Sequence, residues 1–329
     1  MIWRCPGCHG ELELIDSGLR CEMCGSHYDV VDGIPDLRHP PGSPDYTADR
    51  DEARRMVDSG DRSPEKLVRA FFAAREGGDG WTATDTETRT RQTLISPARL
   101  QTELDGWLQP LLEQGAFLDL GCGLGGLLTA AARKKARGIG IDNRMTVLVV
   151  AKRLIESNGG EAVLACARAE AMPLADGVLG GVVMYDVIEH VDNLEQVLAE
   201  VSRVTGAGGM FACSTPNRFS IAPEPHVHLW GVGWLPRRFQ AAYVKRVSGR
   251  SYEGTRLLSP GELSGLVRRN TEFDPQLELP QIPAEEMAVF KGPKKILGRI
   301  YNSLAHLPLS KPVLLRIGAF FQLVAVKRS

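Results

Sequence analysis

The run Phe117-Leu118-Asp119-Leu120-Gly121-Cys122-Gly123-Leu124-Gly125-Gly126 constrains this chain more than any other stretch. It is an apolar strand entering a glycine loop, with a carboxylate just before the first glycine. Glycines let the backbone turn sharply and let a ligand come close to the main chain. Gly121, Gly123 and Gly126 also satisfy the G-x-G-x-x-G spacing of dinucleotide sites. Asp119 argues against a dinucleotide, because a fixed negative charge beside a pyrophosphate is repulsive. A ligand with ammonium and sulfonium charges is favoured there instead.

From residue 115 onward the pattern alternates strand and helix. Strands are expected at 117–120, 138–142, 162–166, 181–185 and 210–213, with a sixth around Leu277-Glu278-Leu279 and a closing one at 320–326. Leu127, Leu128, Ala131 and Ala132 mark one helix, and a second covers 147–155. A third starts at Asp192 with Glu195 three residues on, a capping-box-like beginning, and ends at Gly208-Gly209. This rhythm implies a doubly wound α/β fold, a parallel sheet with helices on both faces. Ligands of such sheets bind beyond the carboxyl ends of the strands.

Ahead of the sheet, Cys5-Pro6-Gly7-Cys8 and Cys21-Glu22-Met23-Cys24 are two C-x-x-C knuckles. Together they can place four thiolates around one structural Zn²⁺ with no open coordination position. A module of roughly 35 residues cannot bury enough apolar surface to fold alone. Structural zinc, at roughly 10–16 kcal/mol, supplies the difference. His9 or His27 could replace a cysteine as ligand, and a redox C-x-x-C pair is the competing reading. The prolines of His39-Pro40-Pro41-Gly42-Ser43-Pro44 imply an irregular linker over 39–49. Residues 50–112 are richly charged, with Leu67, Val68, Phe71 and Phe72 at helical spacing, and read either as a solvated helical bridge or as a lid. The expected organisation is a zinc ribbon over 1–38, a linker and helical cap over 39–112, and an α/β domain over 113–329 with a substrate-binding insertion about 217–260.

A formal net charge of -1 gives no global argument for nucleic acid or membrane. The start, Met1-Ile2-Trp3-Arg4-Cys5, lacks the apolar core of a signal peptide. No apolar run is long enough to span a bilayer. Seven cysteines is an odd number, and four of them sit in metal-type pairs, so a reducing, cytoplasmic setting is expected.

Five stretches of the core then appear in a telling order: Leu118 to Gly125, Gly140-Ile141-Asp142, Ala169 to Gly177, Asp186-Val187-Ile188-Glu189-His190-Val191, and Ser214-Thr215-Pro216-Asn217-Arg218. On these, the core resembles the class I S-adenosylmethionine-dependent methyltransferases, closest to the branch of ubiquinone-pathway O-methyltransferases and their small-molecule relatives. The knuckles, with Tyr28 to Leu37 following, resemble zinc ribbons that travel with methyltransferases, either fused as in rRNA guanine-N1 methyltransferases or as free-standing activators. The resemblance implies a seven-stranded Rossmann-like sheet and S-adenosyl-L-methionine as cofactor. It implies that Gly121, Cys122, Gly123 and Gly125 hold the methionine part, with Asp119 as counter-charge. Asp142, beside Asn143, would accept the ribose hydroxyls. Ala169 would offer its backbone to the adenine edge, near Met172 and Leu174, with Glu170 and Asp186 completing the set. Two departures stand out: Arg168 occupies a position where relatives often carry an adenine-contacting Asp, and Gly180-Gly181 replaces a packing and capping pair.

For the chemistry, His190 sits where this branch often carries a pocket-facing histidine, a candidate general base with Glu189 beside it. In Pro223-Glu224-Pro225-His226-Val227-His228, the two histidines alternate as on a strand; they suit a base, a second metal site with Glu224, or plain surface polarity. Trp230, Trp234, Phe239 and Tyr243 read as packing of the insertion rather than a stacking platform. The expected acceptor is a small molecule of secondary-metabolite, quinone-like or glycolipid type, methylated at oxygen. The alternative is RNA base methylation, suggested by the ribbon and by Arg237, Arg238, Lys245, Arg246, Arg250 and Arg256; a non-catalytic scaffold is a third reading. Residues 284–318 suggest two basic amphipathic helices able to dock on an anionic membrane or to pack on their own domain.

Overall fold

A computed structural model describes residues 2–16, 18–58, 63–77, 81–283, 287–288 and 290–328. Residues 284–286 and 289, at the start of the segment read as amphipathic helices, lie outside the described residues. The chain divides into two compact units, Met1–Val183 with Arg203–Gly209, and Met184–Ser202 with Met210–Ser329.

In the first unit the amino-terminal module is a three-stranded antiparallel sheet, β1 (Leu12–Ile15), β2 (Gly18–Cys21) and β3 (His27–Tyr28), followed by the two-stranded β4 (Val30–Val31) and β5 (Ile34–Pro35). Tyr28, Ile34 and Leu37 are fully buried. The module joins its own unit through isolated bridges from Trp3 to Leu174 and from Asp36 to Cys166. Four helices follow: α1 (Pro44–Asp58), α2 (Pro64–Ala73), α3 (Ala83–Asp105) and α4 (Gln109–Glu113). The irregular linker expected over 39–49 is therefore too long. Helix α1 starts at Pro44, a residue whose fixed φ suits the first helical turn. Nor is α2 simply a solvated bridge. Its Leu67, Val68 and Phe72 form a buried cluster with Val150 and Leu154.

Next come β6 (Phe117–Leu120), α5 (Gly126–Arg133), β7 (Gly138–Asp142), α6 (Met145–Ser157) and β8 (Val163–Cys166). Then follow β9 (Leu179–Tyr185), α7 (Leu194–Val204) and β10 (Thr205–Pro216). Strands β6, β7 and β8 pair in parallel, as do β6 and β9. The second unit, which takes in α7 through Ser202 and β10 from Met210, adds α8 (Arg237–Ser248), α9 (Pro260–Asn270), β11 (Phe273–Glu278), α10 (Pro293–Ala305), α11 (Lys311–Ile317) and β12 (Phe320–Lys327). Strand β12 runs antiparallel to both β10 and β11. The seven-stranded order is β11-β12-β10-β9-β6-β7-β8, the expected Rossmann-like α/β sheet.

Several local expectations shift. Helix α7 is capped by Asn193, whose side-chain oxygen accepts from the Gln196 N–H at 3.1 Å, rather than by Asp192. Gly208-Gly209 does not end the helix but lies inside β10. A Cβ on Gly209 would press the Gly180 carbonyl at 2.8 Å, and one on Gly180 would collide with the Gln114 carbonyl. The glycine departure at 180 thus answers to a close backbone approach. The sixth strand begins at Phe273, four residues earlier than its apolar alternation indicates.

Candidate functional site

The glycine loop is built from backbone conformations that side chains resist. Gly121, Gly123 and Gly125 have φ of 77°, 52° and 75°. The N–H groups of Gly121 and Cys122 both donate to the Ile141 carbonyl, at 2.7 and 3.1 Å. A Cβ on Gly125, at the start of α5, would lie 3.1 Å from Ala151. Asp142 braces this loop: Oδ2 accepts from the Gly123 N–H and Oδ1 from the Arg144 N–H, each at 3.0 Å. Each oxygen keeps a lone pair for a hydroxyl donor. Asp119 is buried at the end of β6. Burial, followed by the charge of Asp142, pushes its carboxyl up to about 7. Burial raises Asp142 as well, against the N–H bonds that favour its anion. Two neighbouring carboxylates whose pKa values burial raises form a site that gains from a cation.

Sequence reasoning missed the group that holds this site in place. Arg38 binds Asp36 through two nitrogens, at 2.7 Å each, and both side chains are 2% exposed. Its Nη1 also donates to Asp49 at 2.8 Å and to the Asn143 carbonyl at 3.1 Å. Asp49 in turn accepts from the Met145 N–H at 2.6 Å and the Thr146 N–H at 3.2 Å, so a residue of α1 caps α6. Burial alone would lower the Arg38 pKa, but its bonds to Asp36 hold it above the ordinary guanidinium value. The only sequence signal was three acids and two arginines within the fifteen residues 36–50.

Arg168, the other departure, is also accounted for. A hydrogen bond with Tyr46 and then the charge of Glu170 keep it protonated, and its Nε lies 3.4 Å from Glu170 Oε2. Ala169 sits in the loop between them, while the preceding Ala167 N–H donates to the Asp142 carbonyl at 2.9 Å. Asp186 follows β9 in the second unit, with φ 56° and its N–H on the Ser214 carbonyl at 2.9 Å.

The four ribbon sulfurs lie within 4.8 Å of one another. Cys5 and Cys24 are 3.7 Å apart and Cys8 and Cys21 3.4 Å. Disulfides need about 2.05 Å, whereas a zinc tetrahedron with ~2.3 Å bonds has edges of about 3.8 Å. The donor set fits zinc. Tyr28 Oη, 3.2 Å from Cys5 Sγ, completes a supporting contact.

The second unit assembles a different cluster. Glu189 is fully buried within a short 3-10 turn, Ile188–His190. Its Oε2 accepts from Thr215 Oγ1 at 3.0 Å, while Oε1 has no hydrogen-bond partner among the described residues. That oxygen faces His190 Nε2 at 4.0 Å and His226 Nε2 at 3.9 Å. The two Nε2 atoms are 3.1 Å apart. Glu224 Oε1 holds His226 Nδ1 at 2.5 Å, and Oε2 accepts from the His226 and Val227 N–H groups at 2.8 Å each. Burial alone would lower the His226 pKa, but Glu224 raises it. His226 does not lie on a strand. Residues 224–228 form a turn in which the His228 N–H donates to the Glu224 carbonyl at 2.8 Å, and His228 is exposed with φ 57°. Of the two histidines, His226 alone joins the cluster. Glu189, His190 and His226 can pass a proton or, as one oxygen and two nitrogens, hold a divalent cation.

Residues 118–213 match the family model described as a methyltransferase domain. The ubiquinone biosynthesis O-methyltransferase of Cereibacter sphaeroides is 30% identical over 155 residues, covering 46% of this chain and 58% of that protein. The protein of the same name from Brucella ovis is 33% identical over 132 residues, covering 38% and 52%. The chain thus spans little more than half the length of these relatives. A Thermotoga maritima structure described as a SAM-dependent methyltransferase, possible histamine N-methyltransferase, is 20% identical over 74% of this chain and 96% of that one, with a TM-score of 0.43.

Proposed function

Residues 118–213 are a class I S-adenosylmethionine-dependent methyltransferase domain, and from that premise we propose that the whole chain methylates a hydroxyl oxygen of a small molecule. The Glu224-backed His226, facing His190 and the buried Glu189, carries the proposal. A phenol, with a pKa of about 10, is a poor nucleophile until its proton is removed. Glu224 holds the Nδ1 side of His226 and leaves Nε2 as the basic atom, an orientation that fixes the tautomer. S-adenosylmethionine, when bound, supplies the electrophilic methyl group. This chain's part is to hold the cofactor on the 121–125 loop with Asp119 as counter-charge and Asp142 on the ribose, to align the acceptor, and to take its proton at Nε2 of His226 or His190. Alignment contributes roughly 7–11 kcal/mol in favourable cases, and proton removal typically 10²–10⁴-fold.

The basic run at 237–256 speaks less for RNA than its sequence implies, because Arg237 is engaged by Glu262 at 2.9 Å and by the Leu257 carbonyl at 3.0 Å. The experiment incubates the protein with methyl-labelled cofactor and panels of phenols, amines and transfer or ribosomal RNA. Label on a phenolic oxygen is expected, with Glu224→Gln reducing turnover by about 10²-fold while cofactor affinity stays unchanged. Label on RNA or on amines alone, or full turnover in Glu224→Gln, refutes the reading.

A further inference from the structure

Helix α10 is amphipathic in the wrong sense for a helix that packs on its own protein. Its inner face is made of small and polar groups. Asn302 exchanges hydrogen bonds with the Ile282 backbone at 3.0 and 2.9 Å, and Tyr301 Oη donates to the Pro280 carbonyl at 2.8 Å. Gly298 and Ala305 are buried on the same side. At 100° per residue these four positions fall within one half of the helix. The other half carries Ile296, Leu297, Ile300 and Leu304, exposed by 61%, 66%, 49% and 38%. The apolar strip continues past the helix end through Leu307, Leu309 at 93% exposed, and Val313 of α11. Such a contiguous apolar strip on a surface marks an interaction site.

Its rim states the partner's charge. From Met287 to the carboxyl end the sequence contains eight Lys or Arg and no Asp or Glu. Lys291, Arg299 and Arg316 are exposed around the strip, and Lys295 is half-exposed on the turn beside it. The neighbouring Lys311 is held by Glu278 at 2.7 Å. A second copy is a poor occupant. A two-fold contact sets the same patch against itself, which would bring cations against cations with no acid to answer them. A planar surface with an apolar interior and anionic groups at its boundary answers both features at once.

We propose that α10, the 307–310 turn and α11 form a docking surface that lies in the interface of an anionic lipid bilayer, with the Ile296–Leu309 strip among the acyl chains and the cationic rim at the headgroups. Leu309, 93% exposed in that turn, offers the most open apolar side chain of the strip. Docking by this surface is independent of which acceptor the enzyme methylates.

Co-sedimentation of the full chain with vesicles tests it. One set is phosphatidylcholine alone, and the other has a quarter of that lipid replaced by phosphatidylglycerol. Binding to the anionic set is expected, weakening as salt rises. Lys295→Gln with Arg299→Gln is expected to lower partitioning by about 30-fold. Ile296→Glu with Ile300→Glu is expected to abolish it. These are surface positions, and unchanged circular dichroism and cofactor affinity would confirm folded variants. Failure to bind either vesicle, or equal binding to both, overturns the proposal. So does light scattering that finds a dimer in wild type and a monomer in Ile296→Glu with Ile300→Glu, which would give the face to a second copy.

Discussion

Asp119 offers the sharpest test of the cofactor half of the site. Burial and the nearby Asp142 push its carboxyl to about 7, against an unfolded value of about 3.9. A group whose folded pKa is raised gives its stability when protonated. That contribution is fully present below about pH 4 and is lost as pH rises through about 7. The gap of about three units corresponds to about 4 kcal/mol across that window. A cation bound beside Asp119 reverses the preference and favours the anion. Cofactor binding below neutrality must therefore expel a proton, and affinity should fall by up to tenfold for each pH unit below about 7. At about 1.5 units below, the expected loss is about 30-fold. The cofactor's own amino group, with a pKa of about 8, stays charged throughout this range. Calorimetric titration with S-adenosylmethionine in two buffers of different ionisation heat measures both the slope and the proton released. Asp119→Asn should flatten the profile and separate Asp119 from Asp142, which titrates with it. A wild-type affinity that is flat from acid to neutral pH, with no proton released, refutes the reasoning.

Three further outcomes are expected. Arg38→Met leaves the buried Asp36 to the Arg50 guanidinium, 3.1 Å away, and removes a cation from Asp49, so it should cost about 3 kcal/mol in urea unfolding, part of it recovered by adding Asp36→Asn; a cost below about 1 kcal/mol would remove Arg38 from its role as brace. Thiol modification of the purified protein should release one equivalent of zinc, detected by a colorimetric chelator, and Cys8→Ser should release none; a metal-free wild type would leave the ribbon without its metal. Glu189→Gln keeps an oxygen for the Thr215 hydroxyl but removes the charge that faces His190 and His226, so turnover should fall by about 10²-fold with stability held within about 1 kcal/mol; a large loss of stability with turnover intact would make Glu189 structural.

What was legible beforehand was local or strictly ordered. The β6 strand and its glycine loop follow from three apolar residues flanking Asp119 and three left-handed glycines, all within ten positions of one another. The four cysteines announce themselves by spacing, because two tight knuckles are all that a tetrahedral site demands. The strands from 117 to 142 appear where their alternation puts them. The end of α7 was misread, since glycines that close a helix and glycines that admit a neighbouring strand look alike in a linear chain.

Composition and order along the chain alone determined the α/β class, the glycine loop behind Asp119 and the paired cysteine knuckles, because each depends on residues a few positions apart. Only the folded chain decided which partners those residues meet. Arg38 reaches Asn143 across 105 positions, His226 reaches His190 across 36, and Arg168 meets Tyr46 and Glu170. The outward turn of the α10 apolar face was equally undecidable from periodicity, which shows that a helix has two faces but not which one its own protein covers. Burial and charge compensation are properties of proximity in space, and a linear pattern records proximity only over the length of one element.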